Sequence, residues 1–387
     1  MLDRVVAGDV PRKPHVVFES PSGALRYEEC ITRRGFDGAY SIVYHEQRPH
    51  EAEPAEPEAH FALPEAHAGE GALRRRHFRT SELAERGGSA LESRTPLLFN
   101  DALVVGFARV SSEDRAYFVN ADADELFFVH EGRGILRSPF GDLAYQPLDY
   151  VAVPKGTLYR IVPEAGVPQS MLTLELRGGL GLPRAYRNDL GQLRMDAPYS
   201  HRDFRRPEFR GPLDEGRRSL VVKRGERFHG FSLRHSPLDL VGWDGSVYPF
   251  AFPILAFEPR VGQIHLPPTV HATFEAGGAL ICSFVPRLLD FHPDANPIPY
   301  PHSSVDIDEV LYYVNGAFGS RRGIGAGSVS LHPAGVPHGP HPGAYENRPA
   351  SNRTEEVAVM LDVSARLTAT PHAVAIEDAG YHASFRA

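Results

Sequence analysis

An internal repeat constrains this chain more than any other feature of its sequence. Residues 124–132 (DELFFVHEG) match residues 308–316 (DEVLYYVNG) position by position in character. Further on, 154–159 (PKGTLY) matches 333–338 (PAGVPH). The offsets are 184 and 179 residues, so order and approximate spacing persist together. Two blocks in register point to two related domains in one chain.

Both blocks read as β-structure, and so does most of the chain. Short β-rich runs recur at 104–110, 125–129, 150–153, 172–176, 252–257, 310–314 and 357–361, separated by turn signals. Glycine (36) and proline (34) are evenly scattered, which argues against long helices. The expected class is all-β, a sandwich or barrel. The repeat divides the chain into a β-rich segment 1–95, a first barrel 96–180, a connection 181–235 and a second barrel 236–387. Residues 47–76, rich in Glu, Ala, Pro and His, are expected to form an exposed arm. The Arg- and Pro-rich stretch 181–218 is expected to drape over the surface.

The formal net charge of −8 comes from interspersed signs, with no basic block suited to phosphate binding, so no nucleic-acid partner is expected. Arg74-Arg75-Arg76 is the nearest candidate and reads as solvated surface. Two isolated cysteines, Cys30 and Cys282, exclude a disulfide framework and a thiolate metal cluster. Cys282 sits in an apolar run and reads as a buried hydrophobe. No secretory leader or membrane-length apolar stretch is visible, which suits a soluble cytoplasmic protein without a membrane partner.

The repeat also separates what each half can do chemically. In the second half His302 precedes Glu309 by seven residues, and His338 closes the Pro-x-Gly-x-x-His segment. In the first half Phe118 stands seven residues before Glu125, and Tyr159 replaces the closing histidine. One half therefore keeps three potential ligands and the other keeps one. Two imidazoles and a carboxylate on one side of an ion form the facial triad of non-haem Fe(II) oxygenases, although Mn, Ni or Zn accept the same set. On a strand, Glu309, Leu311 and Tyr313 share a face. A carboxylate on an apolar inner face is costly unless paired or metal-bound. The plainer reading makes Glu309 a solvated strand end and the histidines ordinary loop residues.

The pattern His-x6-Glu-x6-Gly, followed by Gly-x-x-x-Leu-His-Pro-x-Gly-x-x-His, resembles the two cupin motifs, which belong to small jelly-roll β-barrels. Longer words, 120–132 (NADADELFFVHEG), 149–156 (DYVAVPKG), 241–245 (VGWDG) and 330–340 (SLHPAGVPHGP), resemble the homogentisate 1,2-dioxygenase family from about residue 95 onward. The resemblance implies a bicupin whose Fe(II) is held by His302, Glu309 and His338. It implies His265, in His265-Leu-Pro-Pro-Thr, as the acid/base residue, although by itself it reads equally as a loop histidine beside two prolines. It implies His332 as a pocket residue, although by itself it reads equally as a packed donor behind the ligands. It also suggests a trimer or hexamer. Three departures stand out. The family's Arg-Asn pair after the first metal histidine is Ser303-Ser304 here, and the step to the glutamate is one residue longer, so Asp308 is an alternative ligand. The family's substrate-contacting tyrosine is Phe318, so a substrate carboxylate would need another partner, with His341, Arg321 and Arg322 as candidates.

The resemblance implies ring cleavage of homogentisate by O2 to maleylacetoacetate, a step of tyrosine and phenylalanine breakdown. A related hydroquinone acid such as gentisate is the nearest variant. A metal-dependent cupin isomerase could use the same ligands without O2. A non-catalytic bicupin would be expected to lose ligands in both halves.

Overall fold

The computed structural model describes residues 3–55, 73–84, 87–225, 227–316, 318, 320–344 and 352–386. The chain is built from β-strands, with one five-residue α-helix, Pro371–Ala375, among the described residues. The first repeat block forms the strand Asp124–Glu131 and the second forms Asp308–Tyr313. Each lies inside a seven-stranded sheet.

The first barrel is two sheets face to face. One contains Asp149–Val153, Asp124–Glu131, Gln169–Leu176 and Leu103–Val110; the other contains Gly134–Ser138, Leu158–Pro163 and Tyr117–Asn120. Alternation along Asp124–Glu131 sends Glu125, Phe127 and Val129 toward the barrel interior, where Phe127 and Val129 pack with Leu136, Leu143, Tyr159 and Ile161. Leu126 and Phe128 face the other way. They join Val310 and Tyr312 of the second barrel in one core, with the Phe128 and Tyr312 rings 6.1 Å apart. The two sheets are thus packed back to back. That explains why all six residues of Asp308–Tyr313 are buried and why the run is continuously apolar after its acidic pair.

Strands cross the expected domain limits. Thr368–Ala369 pairs with Thr95–Phe99 of the first barrel, and Phe250–Pro253 pairs with Asp149–Val153. In the other direction, Arg76–Arg79 pairs with Ser328–His332, and Leu180–Gly181 with Ala272–Ala276. Two strands of the expected connection, Ser219–Arg224 and Arg227–Leu233, extend the first barrel's second sheet. A sheet edge left unpaired invites foreign strands, and each of these additions covers one.

Four local expectations are refined. The ends of the 47–76 arm are not free: Ala52–Ala55 adds to Arg227–Leu233, and Arg76 is buried against Glu377 at 2.6 Å. Arg75 lies over the Phe385 ring at 4.4 Å, so Arg75 and Arg76 are docked, while Arg74 stays exposed beside Glu377. The middle of the arm, 56–72, lies outside the described residues. The stretch 181–218 is pinned by buried Tyr199 and Phe204, whose rings lie 5.3 and 4.9 Å from Phe252. The expected strand 252–257 stops at Pro253, which has no N–H to continue the ladder, and turns into Ile254–Ala256. Cys282 is buried in the core, as expected.

A smaller sheet of Val5–Gly8, Leu240–Gly245, Tyr40–His45 and Tyr27–Thr32 completes the fold. His45 is held at one edge by Asp239 (2.7 Å) and Glu29 (3.0 Å). Burial opposes its charge, but the two carboxylate hydrogen bonds prevail and push its pKa up to about 9. A folded-state pKa above the unfolded value means that this stabilisation is complete below pH ~6.5 and is lost as pH rises through about 9. The contribution is at most about 3 kcal/mol. Urea unfolding from pH 6 to pH 9.5 should show the wild type losing stability relative to His45→Gln. Parallel curves for the two proteins would show that the cluster contributes nothing.

Candidate metal centre

Glu309 is the second residue of its strand, with His332 directly opposite on one neighbour and Asp362 on the other. It is 6% exposed. His302 and His338 reach it from loops that are joined to each other. The His302 N–H donates to the His338 carbonyl and the His338 N–H to the His302 carbonyl, both at 2.8 Å. Gly339 permits this clamp. Its φ is +143°, and a Cβ there would lie 2.8 Å from Pro301 Cα.

The three side chains converge, with ligand atoms of His302, Glu309 and His338 all within 4.8 Å of one another. His338 Nδ1 lies 2.9 Å from the Val336 carbonyl, and His302 Nδ1 lies 3.4 Å from that of Tyr300. A carbonyl only accepts, so each Nδ1 carries the proton and each Nε2 presents a lone pair. Those two Nε2 atoms sit 3.8 and 3.7 Å from the same carboxylate oxygen, too far for a hydrogen bond. His338 Nε2 is buried and has no hydrogen-bond partner. Lone pairs facing a carboxylate across that gap fit a cation held between them. Glu309 is held well below the usual carboxylate range, because hydrogen bonding from its histidine surroundings, His332 Nδ1 at 2.6 Å foremost, outweighs the cost of burial. The same carboxylate raises the pKa of His302. The centre attracts positive charge.

His332 stands behind this group. It is fully buried, donates from Nδ1 to Glu309 (2.6 Å), and accepts at Nε2 from the Tyr381 hydroxyl (3.2 Å). Burial pushes its pKa down to about 4, so it stays neutral and orients the carboxylate. It does not line the cavity, contrary to expectation. Asp308 lies on the opposite face of the strand, where its two oxygens accept the Ala334 and Leu367 N–H groups, both at 2.8 Å. Asp124 accepts Lys155 N–H in the same way, so this aspartate is a repeated structural clamp.

A cavity of about 520 Å³ opens onto His302 and Glu309. That volume suits a small-molecule site. Leu311, Phe318, Phe284 and Met360 supply apolar wall, and His265, His271 and Arg321 supply polar groups. His265 Nδ1 is 3.7 Å from Asp290 and its ring meets Tyr300 edge-on at 5.0 Å. Burial lowers the His265 pKa, so the ring is neutral and able to accept a proton near pH 7. Phe318 lies against Tyr313 at 4.6 Å. His341 is misplaced in the sequence reading: it is buried against Phe385 (3.9 Å) and Ser384 (2.8 Å), outside the cavity. A larger cleft of about 880 Å³ runs past Asp308 but touches none of His302, Glu309 and His338.

Sequence reasoning missed Asp290, Tyr381 and Asp362. Asp362, beside Glu309, is pushed up to about 6 by burial and by that neighbour. None of the three belongs to a recognisable motif.

Known proteins resemble the chain in a consistent way. Residues 99–254 match the family model described as homogentisate 1,2-dioxygenase N-terminal. A protein of Saccharolobus solfataricus named "Putative dioxygenase" is 35% identical over 381 residues, covering 98% of this chain and 97% of that one. Homogentisate 1,2-dioxygenase of Rhodopseudomonas palustris is 27% identical over 61% of this chain, and the match spans 53% of that enzyme. Among solved structures, a cupin 2 conserved barrel domain protein from Leptotrichia buccalis overlaps 70% of this chain and 88% of its own at a TM-score of 0.34 and 8% identity.

Proposed function

The chain belongs to the homogentisate 1,2-dioxygenase family, and from that premise we propose that it is an Fe(II)-dependent dioxygenase that opens the ring of homogentisate or a close hydroquinone acid. The observation that carries the reading is the convergence of His302, Glu309 and His338 beside a cavity of about 520 Å³, large enough for a single-ring acid. These three residues would hold the iron through two imidazole nitrogens and one carboxylate oxygen. When bound, the metal supplies a template and electron conduit between a chelated ring and O2.

The remaining tasks fall to the chain's own residues. His332 and Tyr381 fix the Glu309 carboxylate, which keeps the ligand set in place. His265, neutral by burial, accepts the proton of a ring hydroxyl, with Asp290 beside its other edge. Phe318, Leu311 and Met360 enclose the ring and exclude water. The balanced reaction adds both atoms of O2 across one ring bond; for homogentisate the product is maleylacetoacetate.

Phe318 supports the variant substrate as well, because a wall without a hydroxyl leaves the choice of hydroquinone acid open to other groups in the cavity. An oxygen-electrode assay of iron-loaded protein with homogentisate, gentisate and hydroquinone tests the proposal. One O2 consumed per ring opened is expected with at least one of the acids. Full iron occupancy with no uptake from any of the three would overturn it and favour an isomerase.

A further inference from the structure

Four arginines line the cavity: Arg260, Arg287, Arg321 and Arg353. Three face carboxylates. Arg287 pairs with Glu356 and Arg353 with Glu355, both at 2.5 Å, and Arg260 lies 3.9 Å from Asp196. Arg321 differs. Among the described residues it has no carboxylate within ion-pair distance; it donates from Nη1 to the Gly339 carbonyl, meets the Tyr313 side chain, and its Nε is buried without a hydrogen-bond partner. A buried guanidinium without a carboxylate at ion-pair distance is costly, and such a group is kept where a ligand supplies the missing charge.

Position adds to the case. Arg321 shares the cavity with His302 and Glu309, and its backbone N–H donates to the Phe318 carbonyl at 3.2 Å. That sets Arg321 beside Phe318 on the cavity wall, with Tyr313 packed behind Phe318. A ring lying on this wall would have its reacting edge toward the carboxylate–histidine group and its substituent toward Arg321. With a divalent ion on Glu309, the cavity's inner surface is net positive, so an anionic ligand is favoured over a neutral one.

We propose that Arg321 is the specificity residue of this cavity, binding the carboxylate of a single-ring aromatic acid through the planar fork of its guanidinium. The proposal rests on the functional reading above and names the residue that would hold the acid group its candidate substrates share.

Calorimetric binding to the iron-loaded protein tests it without turnover, using 4-hydroxyphenylacetate and 4-methylphenol, which differ in the carboxylate. Arg321→Met should weaken 4-hydroxyphenylacetate by about 30-fold or more and change 4-methylphenol by less than about 3-fold. Iron content should not fall, since the substitution removes a positive charge from the metal's surroundings. Should R321M fail to melt cooperatively, Arg321→Lys takes its place, with a loss of about 10-fold for the acid alone. Equal weakening of both ligands, or of neither, overturns the assignment. The two ideas separate cleanly. Arg321-dependent acid binding without O2 uptake would retire the dioxygenase reading and keep the anchor; unchanged homogentisate turnover in R321M would do the reverse.

Discussion

Glu309→Ala should strip the protein of iron and leave its fold intact, whereas Asp308→Asn should weaken the fold and leave the iron in place. These neighbouring carboxylates alternate across one strand, so they serve opposite faces. Glu309 presents one oxygen to the His302 and His338 nitrogens and the other to His332. Its removal deletes the anionic ligand on which the two lone pairs converge. Metal content should fall below about a tenth of an equivalent, and O2 uptake by more than about 10²-fold, since even outer-shell partners are worth 10- to 100-fold. His338→Ala should behave alike. Asp308 instead accepts one buried and one part-buried backbone N–H group, and asparagine can satisfy only one of them well. A loss of about 1–3 kcal/mol follows from the group left unpaired. Metal analysis and urea unfolding on the same preparations read both effects. Stoichiometric iron in Glu309→Ala would remove the basis of the proposed chemistry.

Much of this arrangement was legible in the sequence because it depends on short-range spacing. Glu309 is placed by strand alternation, and His338 by the turn that also holds Gly335 and Gly339. The two repeat blocks and the difference in their ligand complement needed nothing beyond the sequence. What could not be seen depends on distant partners. The back-to-back packing of Phe128 on Tyr312 joins residues from separate repeats, and a period-two pattern says only that a face is apolar. Tyr381 reaches His332 from 49 positions away, without a motif to flag it. His341 failed as a cavity residue for a conformational reason. The chain reverses at Gly339, at φ +143°, and sends the following residues toward Ser384 and Phe385.

The first barrel answers the same electrostatic problem from within, and Arg94→Ala should expose it. Glu125 is the counterpart of Glu309 and is 1% exposed, while Phe118 and Tyr159 stand where the ligand histidines would be. Arg94 fills the space. Its Nη1 meets Glu125 at 2.5 Å, its Nη2 donates to the Tyr159 hydroxyl at 2.8 Å, and that hydroxyl donates to the other Glu125 oxygen at 2.7 Å. The guanidinium lies 4.9 Å from the Phe127 ring centre and 5.5 Å from that of Phe118, so the aromatic substitutions suit a flat cation. Removing it leaves a carboxylate buried against Phe127 without a positive partner. A loss of about 3–5 kcal/mol is expected in urea unfolding. Replacing the whole group, with Arg94→Met, Glu125→Leu and Tyr159→Phe together, should recover most of that loss, because a well-packed apolar set avoids the desolvation of both charges. Iron content should be unchanged in either protein, since the candidate ligands lie in the other barrel. If Arg94→Ala is as stable as the wild type, Glu125 must find another partner, and the parallel between the two carboxylates fails. If it is destabilised and the triple variant is not, the inward glutamate of the first barrel requires a cation, which the chain itself supplies through Arg94.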